Sequence, residues 1–462
     1  MCQYISILRA LSGAVVACAA AAATPAAAQS LAITHVTVVD PVAAPARDMT
    51  VVIRDGKIVS IAATRRTMPT RGMRVFNGRG KYLIPGLWDM HVHIILEGGS
   101  WALGEYVAHG ITGVRDMGGR FETVDSLRRA VDSGRIPGPR ILAVGPQIEH
   151  AGSMEYIRTQ GSSDVKASAR WDRLELLTPD AATRAVDSLV GLGVDFIKGR
   201  NFADTATYWA IANAARRGGR MFVGHPPIGI DPIALADSGQ RTIEHWYYPD
   251  DLPKRSADVY RRIVDAYIRN GTAFVPTLST WSDHRFVVDT MRARLARTLA
   301  DSRAEHLPPA LLRHWTALLD ARLIEVAGKP ATVEQLRGWN TALDQYAIQI
   351  GRLSSAGVLV LSGSDLPFAL YPGDALHEEM RKLVRESGLT PRQALATATI
   401  GPAMSMGMRD SLGTIAPGRI ADLVLLDADP LADIGNVRRV ARVMRRGQWV
   451  WAAAPSAERK RQ

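Results

Sequence analysis

The sequence predicts an α/β fold: a (β/α)8 (TIM) barrel joined to a small β-sandwich domain that is built from both termini. Three patterns indicate this fold. Strand-like and helix-like segments alternate through the middle of the chain, short strand patterns flank that region, and polar side chains follow the central strands where they end. With 462 residues, the chain is long enough for more than one domain. We predict the β-sandwich over 29–82 plus 408–452 and the barrel over 83–407.

The two flanks carry alternating apolar residues interrupted by turn residues. In the first flank, Asp55-Gly56 separates two such runs and predicts a tight hairpin turn. In the second flank, Gly447-Gln448 occupies the corresponding place. We expect the two flanks to form one domain; two independent β patches are the alternative.

The central region contains eight candidate strands, the number that closes a (β/α)8 barrel. They span 87–93, 112–116, 140–145, 195–199, 220–225, 241–245, 272–278 and 358–365. Helical patterns lie between them, most clearly over 208–217. Thr178-Pro179 and Asp231-Pro232 each place a capping side chain before a proline suited to the first turn of a helix. The long gap before the last strand predicts a helical insertion at about 280–350, lying near the site as a lid.

The first residues form an apolar, Ala-rich run that is typical of an export signal. Arg9 precedes the run, and small residues before Gln29 suit cleavage at that point. We therefore predict a signal peptide over 1–28 and a periplasmic or secreted mature chain without a transmembrane segment. The stretch that ends at Cys18 also resembles a lipoprotein cleavage box, so a lipid anchor on Cys18 is the alternative. Both cysteines lie in this leader, so any metal would be held by nitrogen and oxygen.

The formal net charge of +11 comes from basic residues that are scattered along the chain. A short basic tail is predicted over 453–462. No aromatic-rich basic stripe accompanies these residues, so we expect a solvated basic surface and no nucleic-acid partner. A small molecule is the expected partner, and homo-oligomerisation is left open.

The segment GLWDMHVHI, residues 86–94, predicts part of the inner wall of the barrel. In a strand, His91 and His93 lie on one face together with Asp89, and the opposite face is wholly apolar. Two neutral imidazoles one pleat apart can chelate a divalent metal ion. A pair of surface histidines is the alternative, and so apolar a neighbourhood argues against it.

Other strand ends carry further polar side chains, and the chemistry of such barrels gathers where the strands end. A buried carboxylate without a partner is costly, so Asp365 favours a metal as its partner. Lys198 can act as a metal ligand only if its amine takes up carbon dioxide and becomes an anionic carbamate. An unmodified ammonium group would be repelled by two divalent metal ions. A lysine paired with a carboxylate at the rim is the alternative. The candidate ligands are His91, His93, Lys198, His225, His245 and Asp365.

An ordered series of motifs connects these residues to a known family. The motifs are LIPGLWDMHVHI, GITGVRDMGG, GVDFIKGR, VGHPP, TIEHW, LSGSD and a late segment that begins LTPRQALATATIGP. Together they resemble the amidohydrolase superfamily, in particular its imidazolonepropionase-like and Xaa-Pro dipeptidase-like branch. The resemblance implies a distorted (β/α)8 barrel, a β-sandwich and a centre of two divalent metal ions, with zinc expected. By matching motifs, one ion would be held by His91, His93 and Asp365, the other by His225 and His245, with carboxylated Lys198 bridging both.

The reaction that this resemblance implies is hydrolysis of an amide-like C–N bond by metal-activated hydroxide, in an N-acyl amino acid or a dipeptide such as Xaa-Pro. Asp365 would accept the proton of the attacking water and deliver it to the departing amine. His150 would polarise the carbonyl, although the related motif is typically Gly-Gly-His and this chain has Ile148-Glu149 before His150. Closeness to strand ends predicts substrate contacts, with surface exposure as the alternative, for Tyr247, Tyr248 and Arg200.

Lactone or ester hydrolysis on the same centre is the nearest alternative function. Deamination is less favoured, because deaminases with one metal typically carry His-x-x-Glu after strand five. Here His225 is followed by Pro226-Pro227-Ile228, and Lys198, which those deaminases lack, is present. A non-catalytic binding protein with the same barrel is the third alternative, which the complete set of candidate ligands disfavours.

Overall fold

The computed structural model describes residues 30–453, apart from positions 68, 161–171, 177, 201–203, 228, 246–255, 324–328 and 330. The predicted signal peptide and the basic tail after residue 453 lie outside the described residues.

The described strands and helices alternate through the middle of the chain. The strands are β1 (Leu31–Val38), β2 (Ala46–Arg54), β3 (Lys57–Ala63), β4 (Arg74–Asn77), β5 (Tyr82–Pro85), β6 (Leu87–Val92), β7 (Ile111–Asp116), β8 (Arg140–Ala143), β9 (Gln147–His150), β10 (Arg173–Leu176), β11 (Phe196–Gly199), β12 (Met221–Gly224), β13 (Gln240–Glu244), β14 (Ala273–Val275), β15 (Leu423–Leu426), β16 (Val440–Arg445) and β17 (Gln448–Ala452). The α-helices are α1 (Ser100–Ala108), α2 (Phe121–Asp132), α3 (Ala151–Gln160), α4 (Pro179–Leu192), α5 (Thr205–Arg217), α6 (Pro232–Asp237), α7 (Ala257–Asn270), α8 (Leu278–Trp281), α9 (Val288–Leu299), α10 (Pro309–Leu323), α11 (Val333–Ser355), α12 (Asp374–Arg385), α13 (Pro391–Thr397) and α14 (Ile400–Ser405).

Strands from both ends of the chain form one sheet with the order β17-β16-β15-β5-β1-β2-β3, and β4 pairs with β1. The two halves meet where β15 runs antiparallel to β5, with Leu423 opposite Pro85. The sheet packs around its own apolar core, which includes Ile33 and Leu425. The prediction of a β domain built from both termini is confirmed. Because β5 belongs to this sheet, the sheet continues to Pro85, beyond the predicted boundary at residue 82.

One of the two predicted hairpin turns is confirmed, and the other lies one residue away from its predicted position. Asp55 and Gly56 connect β2 to β3 with φ of 51° and 76°, as two-residue hairpins require. The second turn lies one residue earlier than predicted. Arg446 and Gly447 form it with φ of 48° and 78°, and Gln448 already begins β17.

Parallel strands build the barrel in two groups, β6-β7-β8 and β9-β11-β12-β13-β14. The N–H of Asp195, just before β11, donates to the carbonyl of Ala143 in β8 at 2.9 Å and links the two groups. The apolar core between the strands and the surrounding helices includes Ile197 and Ile243. The predicted (β/α)8 barrel is therefore confirmed.

The last predicted strand, 358–365, closes the barrel without forming a regular strand. The N–H of Leu361 donates to the carbonyl of Phe274 in β14, and the N–H of Met90 in β6 donates to the carbonyl of Ser362, at 2.8 and 2.9 Å. A Cβ at Gly363 would lie 2.8 Å from Cβ of His91, so only glycine allows this close approach. The extended conformation ends at Asp365, whose φ is 51°.

The segment after the third barrel strand also differs from the prediction over 140–145. β8 ends at Ala143, and residues 147–150, which are not among the eight predicted strands, form the separate strand β9. β10 pairs with β9 in parallel and forms the edge of the second group. This pair brings Arg173 next to Glu149.

The helix starts predicted from capping residues, and the clearest predicted helix, are confirmed. Thr178 and Asp231 cap α4 and α6, each followed by the expected proline, and α5 contains the predicted helix 208–217. Within the part of the chain that the structure describes, no helix is long and apolar enough to cross a membrane.

The predicted insertion is helical and consists of α8 to α10 and most of α11. Part of it packs on the segment that follows Asp365, in a separate apolar cluster that includes Trp315 and Phe368. The N–H of Phe368 donates to Asp283 at 2.5 Å, which fixes that segment against the insertion. α11 continues to Ser355 and packs on the barrel, where Tyr346 donates to the carbonyl of Pro276 at 2.9 Å.

Candidate metal centre and active site

A cavity of about 250 Å³ opens at the carboxyl ends of the barrel strands. This is the end of a (β/α)8 barrel at which active sites lie. Its described lining consists of His93, Lys198, Arg200, His225, His245, Thr280, Trp281 and Asp365. Five of the six candidate ligands thus line one cavity, and the sixth, His91, lies 3.3 Å from Lys198 and 3.4 Å from Asp365.

Asp365 lies at the centre of the cluster. Its Oδ1 is 3.4 Å from Nε2 of His91 and 3.3 Å from Nε2 of His93, and its Oδ2 is 3.6 Å from Nδ1 of His245. Ligand atoms about 2.1 Å from one ion in a tetrahedral site stand about 3.4 Å apart. His91, His245 and Asp365 offer atoms that all lie within 4.8 Å of one another, so they could hold a metal ion.

Lys198 and His225 extend the cluster to the opposite side. Nζ of Lys198 lies 3.3 Å from Nε2 of His91, and the side chain is buried. The ring of His225 stands edge-on to that of His245, with centroids 4.8 Å apart. Gly224 makes this arrangement possible, because a Cβ there would lie 1.9 Å from the carbonyl oxygen of Gly199.

Two of these residues hold strained backbone conformations. His245 and Asp365 have φ of 66° and 51°, in the left-handed region that residues with a side chain rarely adopt. Such strain persists where surrounding contacts over-determine it, and it concentrates at functional sites. Here the N–H of His245 donates to the carbonyl of Val275 at 2.9 Å, and the N–H of Asp365 donates to the carbonyl of His91 at 2.8 Å.

The protonation states of the cluster suit a divalent metal. Burial lowers the pKa of His245 to about 3 and holds the pKa values of His91 and His225 well below the ordinary range. Burial opposes ionisation of Asp365, but His245 and His93 outweigh it and lower its pKa to about 2. Neutral imidazoles and an ionised carboxylate are metal-ligating forms, so the donor set fits such an ion.

Burial also lowers the pKa of Lys198, to about 7, and the nearby Arg200 guanidinium acts in the same direction. A substantial fraction of the amine is therefore neutral near neutral pH. A neutral amine has the lone pair that carbon dioxide requires for carbamate formation.

Buried charged residues behind the ligands support them. Oε2 of Glu244 lies 2.9 Å from Nδ1 of His91, and Nη2 of Arg115 lies 2.6 Å from the other carboxylate oxygen. Partners of this kind fix the orientation and tautomer of metal-ligating histidines. The sequence analysis missed both residues. The available signal was their place in two motifs of the sequence analysis, because Glu244 directly precedes His245 in TIEHW and Arg115 lies in GITGVRDMGG.

Three further buried carboxylates hold the backbone of the histidine-bearing strand. Asp89 accepts the N–H of His91, Glu97 that of His93 and Asp116 that of Ile94, at 3.1, 2.7 and 2.9 Å. Burial raises their pKa values to about 7, 8 and 6 in the same order. These contacts lock the strand end in place.

The remaining predicted site residues are placed differently. Arg200 lines the cavity. His150 ends β9, where its Nδ1 accepts the N–H of Gly152 at 3.1 Å, and it is not among the described residues that line the cavity. Tyr247 and Tyr248 lie outside the described residues. Thr280 and Trp281, which the sequence analysis missed, reach the cavity from α8 and the start of the insertion.

A (β/α)8 barrel with neutral imidazoles, a buried amine and an ionised carboxylate at its strand ends defines a class, that of barrel hydrolases that use a divalent metal. The profile of the amidohydrolase family matches residues 82–450, and the chain belongs to this family. The resemblance inferred from the motifs is confirmed, and the chain belongs among enzymes that hydrolyse carbon–nitrogen bonds.

Relatives and solved structures agree with this assignment. The chain is 23% identical to ochratoxinase of Aspergillus niger over 441 residues, covering 84% of this chain and 79% of the relative. It is 25% identical to imidazolonepropionase of Deinococcus deserti over 389 residues, covering 84% and 87%. The structure of a Xaa-Pro dipeptidase with bound methionine matches with a TM-score of 0.69 at 19% identity, covering 92% of this chain and all of the other. The A. niger ochratoxinase structure matches with a TM-score of 0.68 at 18% identity, covering 92% and 96%. These two structures show the shared fold.

Proposed function

We propose that this protein is a metal-dependent amidohydrolase that cleaves an amide-like C–N bond in an N-acyl amino acid or in a dipeptide such as Xaa-Pro. One observation carries the proposal: side chains from distant strands, all of ligand type, converge on one cavity at the carboxyl ends of the barrel strands. The names of the relatives support it, because a Xaa-Pro dipeptidase acts on a dipeptide by its name.

The proposed centre holds two divalent ions, with zinc expected. Distances of 3.4 and 3.3 Å from Oδ1 of Asp365 to Nε2 of His91 and of His93 support the assignment of one ion to these three residues. The edge-on contact between His225 and His245 supports a second ion beside the first. The proposed ligands are His91, His93 and Asp365 for one ion, His225 and His245 for the other, and carboxylated Lys198 between them.

Bound ions of this kind polarise a carbonyl and lower the pKa of water toward neutrality. Asp365, ionised at neutral pH, accepts the proton of the attacking water and delivers it to the departing nitrogen. The backbone hydrogen bond from Asp365 to His91 keeps the carboxylate in position between these two transfers. Although His150 lies outside the described lining of the cavity, it stays the proposed contact to the carbonyl oxygen and would use Nε2, because Nδ1 accepts the N–H of Gly152.

The test is hydrolysis of a substrate panel by zinc-loaded protein, by chelated protein and by an Asp365→Asn control. The panel contains N-acetyl amino acids, Xaa-Pro dipeptides, lactones and simple esters. Release of amino acid by the loaded protein alone supports the proposal. Turnover confined to lactones or esters would replace it with a lactonase or esterase, and turnover that survives chelation and Asp365→Asn would overturn the assigned site.

We also propose that the protein is exported and that the leader is removed before Gln29. Mass spectrometry of the chain recovered from the periplasm or medium tests this. A mature chain that begins at Gln29 is the expected result, a lipid on Cys18 would establish the anchored alternative, and an intact leader on cytoplasmic protein would contradict export.

A further inference from the structure

We propose that Arg200 binds the carboxylate of the substrate and thereby restricts the enzyme to small N-acyl amino acids and dipeptides with a free carboxylate. This inference rests on the proposed function, and it assigns to Arg200 a definite role in selecting the substrate.

When the proposed metal ligands are set aside, few residues of the described cavity lining remain that could recognise a substrate. Within the described lining of the cavity, Arg200, Thr280 and Trp281 remain for the substrate. The hydroxyl of Thr280 is already engaged, because it lies 2.7 Å from the carbonyl oxygens of both Ser364 and Asp365. Arg200 is thus the cation that remains on the described wall, and a guanidinium pairs preferentially with carboxylate or phosphate.

The guanidinium of Arg200 is held in one orientation. Its Nε lies 2.9 Å from Oε2 of Glu149, and its Nη1 donates to Oε1 of Gln147 at 3.2 Å. Both partners belong to β9, so the side chain is fixed on a strand of the sheet and not on a loop. Nη1 donates the hydrogen bond, Nε makes an ion pair with Glu149 without hydrogen-bond geometry, and neither contact uses Nη2; the side chain is 23% exposed. A fixed donor loses little conformational entropy on binding.

The partner carboxylate of Arg200 is shared. Nη1 of Arg173 lies 2.8 Å from the same oxygen of Glu149, and Nε of Arg173 lies 3.7 Å from Asp172. Because Glu149 is fully buried and divides its charge between two guanidinium groups, it only partly neutralises Arg200. Arg200 therefore keeps positive charge at the cavity surface, and Glu149 acts as its positioning residue.

The rest of the cavity limits what accompanies the carboxylate. Trp281 supplies an aromatic wall, with its ring centroid 6.3 Å from that of His245. The cavity volume of about 250 Å³ is below the usual range for ligand pockets. A short acyl group and one apolar amino acid fit such a space. The carboxylate then lies on the amine side of the scissile bond, next to Arg200.

The test compares matched substrates that differ only in the carboxylate. N-acetyl-L-methionine and N-acetyl-L-methioninamide are assayed with wild type, Arg200→Gln, Arg200→Lys and the control Arg297→Gln, an exposed arginine on α9. We expect Arg200→Gln to lower kcat/KM for the acid about 10- to 100-fold, mainly through KM, and to change the amide less than threefold. Arg200→Lys should keep part of the preference, and Arg297→Gln should match wild type.

A binding measurement separates this inference from the proposed reaction. Calorimetric titration of N-acetyl-L-methionine is carried out on metal-loaded and chelated protein, and metal content is measured for each variant. Suppose that wild type binds the acid but hydrolyses neither compound, and that Arg200→Gln loses this binding while keeping its metal. The proposed hydrolysis would then be wrong, and the carboxylate site at Arg200 would still be supported. Equal losses for acid and amide, or acid binding that is unchanged in Arg200→Gln, would overturn the role of Arg200.

Discussion

Nδ1 of His91 lies 2.9 Å from Oε2 of Glu244, and both side chains are fully buried. Arg115 supplies the counter-charge at 2.6 Å from the other carboxylate oxygen. An ionised carboxylate only accepts hydrogen bonds, so His91 donates through Nδ1 and keeps the lone pair on Nε2. Nε2 is the atom that faces Asp365 and Lys198, at 3.4 and 3.3 Å. Glu244 therefore selects the tautomer of His91 that can bind a metal.

Glu244→Gln should lower metal affinity about 10- to 100-fold while the barrel stays folded. The amide can donate to Nδ1, which moves the proton of His91 to Nε2 and blocks the lone pair. Competition between the protein and a chromophoric chelator measures the change. Asp40→Asn is the matched control, because Asp40 is a buried carboxylate that accepts the N–H of Ile415 at 2.7 Å in the terminal domain. Equal affinities for Glu244→Gln and wild type would contradict this role.

Lys198→Ala should lose bound metal and activity, and a short-chain carboxylic acid added with zinc should restore part of both. The added carboxylate would supply the two oxygens that the carbamate provides in wild type. Metal analysis and turnover, each with and without propionate, measure the effect. Lys198→Arg is the control, because a guanidinium cannot form the carbamate and fills the space for an added acid. Unchanged metal content in Lys198→Ala would rule out the bridging role.

Asp365→Asn should reduce kcat about 10²- to 10⁴-fold, because an amide cannot carry the proton from water to the leaving nitrogen. The rate is expressed per bound metal, so that loss of a ligand and loss of the proton carrier are separated. Circular dichroism and the melting temperature check that the barrel is intact. If the rate per bound metal stays near that of wild type, the proton is carried by another group.

His377, which is not among the described residues that line the cavity, should make the stability of the protein sensitive to acid. Its side chain is 1% exposed and its Nε2 lies 2.9 Å from the carbonyl oxygen of His109. Burial, together with the charges of His109 and Arg438 and against that of Asp374, lowers its pKa from 6.5 to about 3.

Between these pH values the unfolded chain binds a proton that the folded chain does not. The free energy of unfolding is therefore unaffected by the titration of His377 above pH 6.5. As the pH falls from 6.5 toward 3, it decreases by up to about 1.4 kcal/mol per pH unit. Urea unfolding at pH 7, 6 and 5 should give a shallower loss of stability for His377→Gln than for wild type. The exposed His306 provides the control, His306→Gln, with the wild-type slope. Parallel slopes for His377→Gln and wild type would contradict the prediction.

The sequence alone predicts those parts of the fold and the site that depend on a local pattern of residues. Lys198 and His245 each lie at the end of a short strand-like segment, and strand ends form the end of the barrel that carries the chemistry. The pair of His91, in β6, and His93, directly after it, could be predicted because side chains alternate along a strand. Hairpin and cap residues such as Asp55-Gly56 and Thr178-Pro179 act over a few positions, so their effect is visible without a fold.

The rest of the site depends on contacts between distant residues. Glu244 and Arg115 are 129 positions apart, and nothing near either residue indicates the other. Trp281 reaches the cavity because the insertion packs on the segment after Asp365, which no local pattern encodes. The closing segment 358–365 reads as a strand, but its close approach to His91 at Gly363 and the left-handed Asp365 are consequences of closing the barrel.

Metal content of the purified, undialysed protein tests the central claim most directly. Elemental analysis should find about two divalent ions per chain in wild type. It should find fewer in a variant that replaces both His91 and His93 by alanine and keeps the wild-type circular dichroism spectrum. Wild-type protein that remains metal-free after incubation with zinc and bicarbonate would contradict the account.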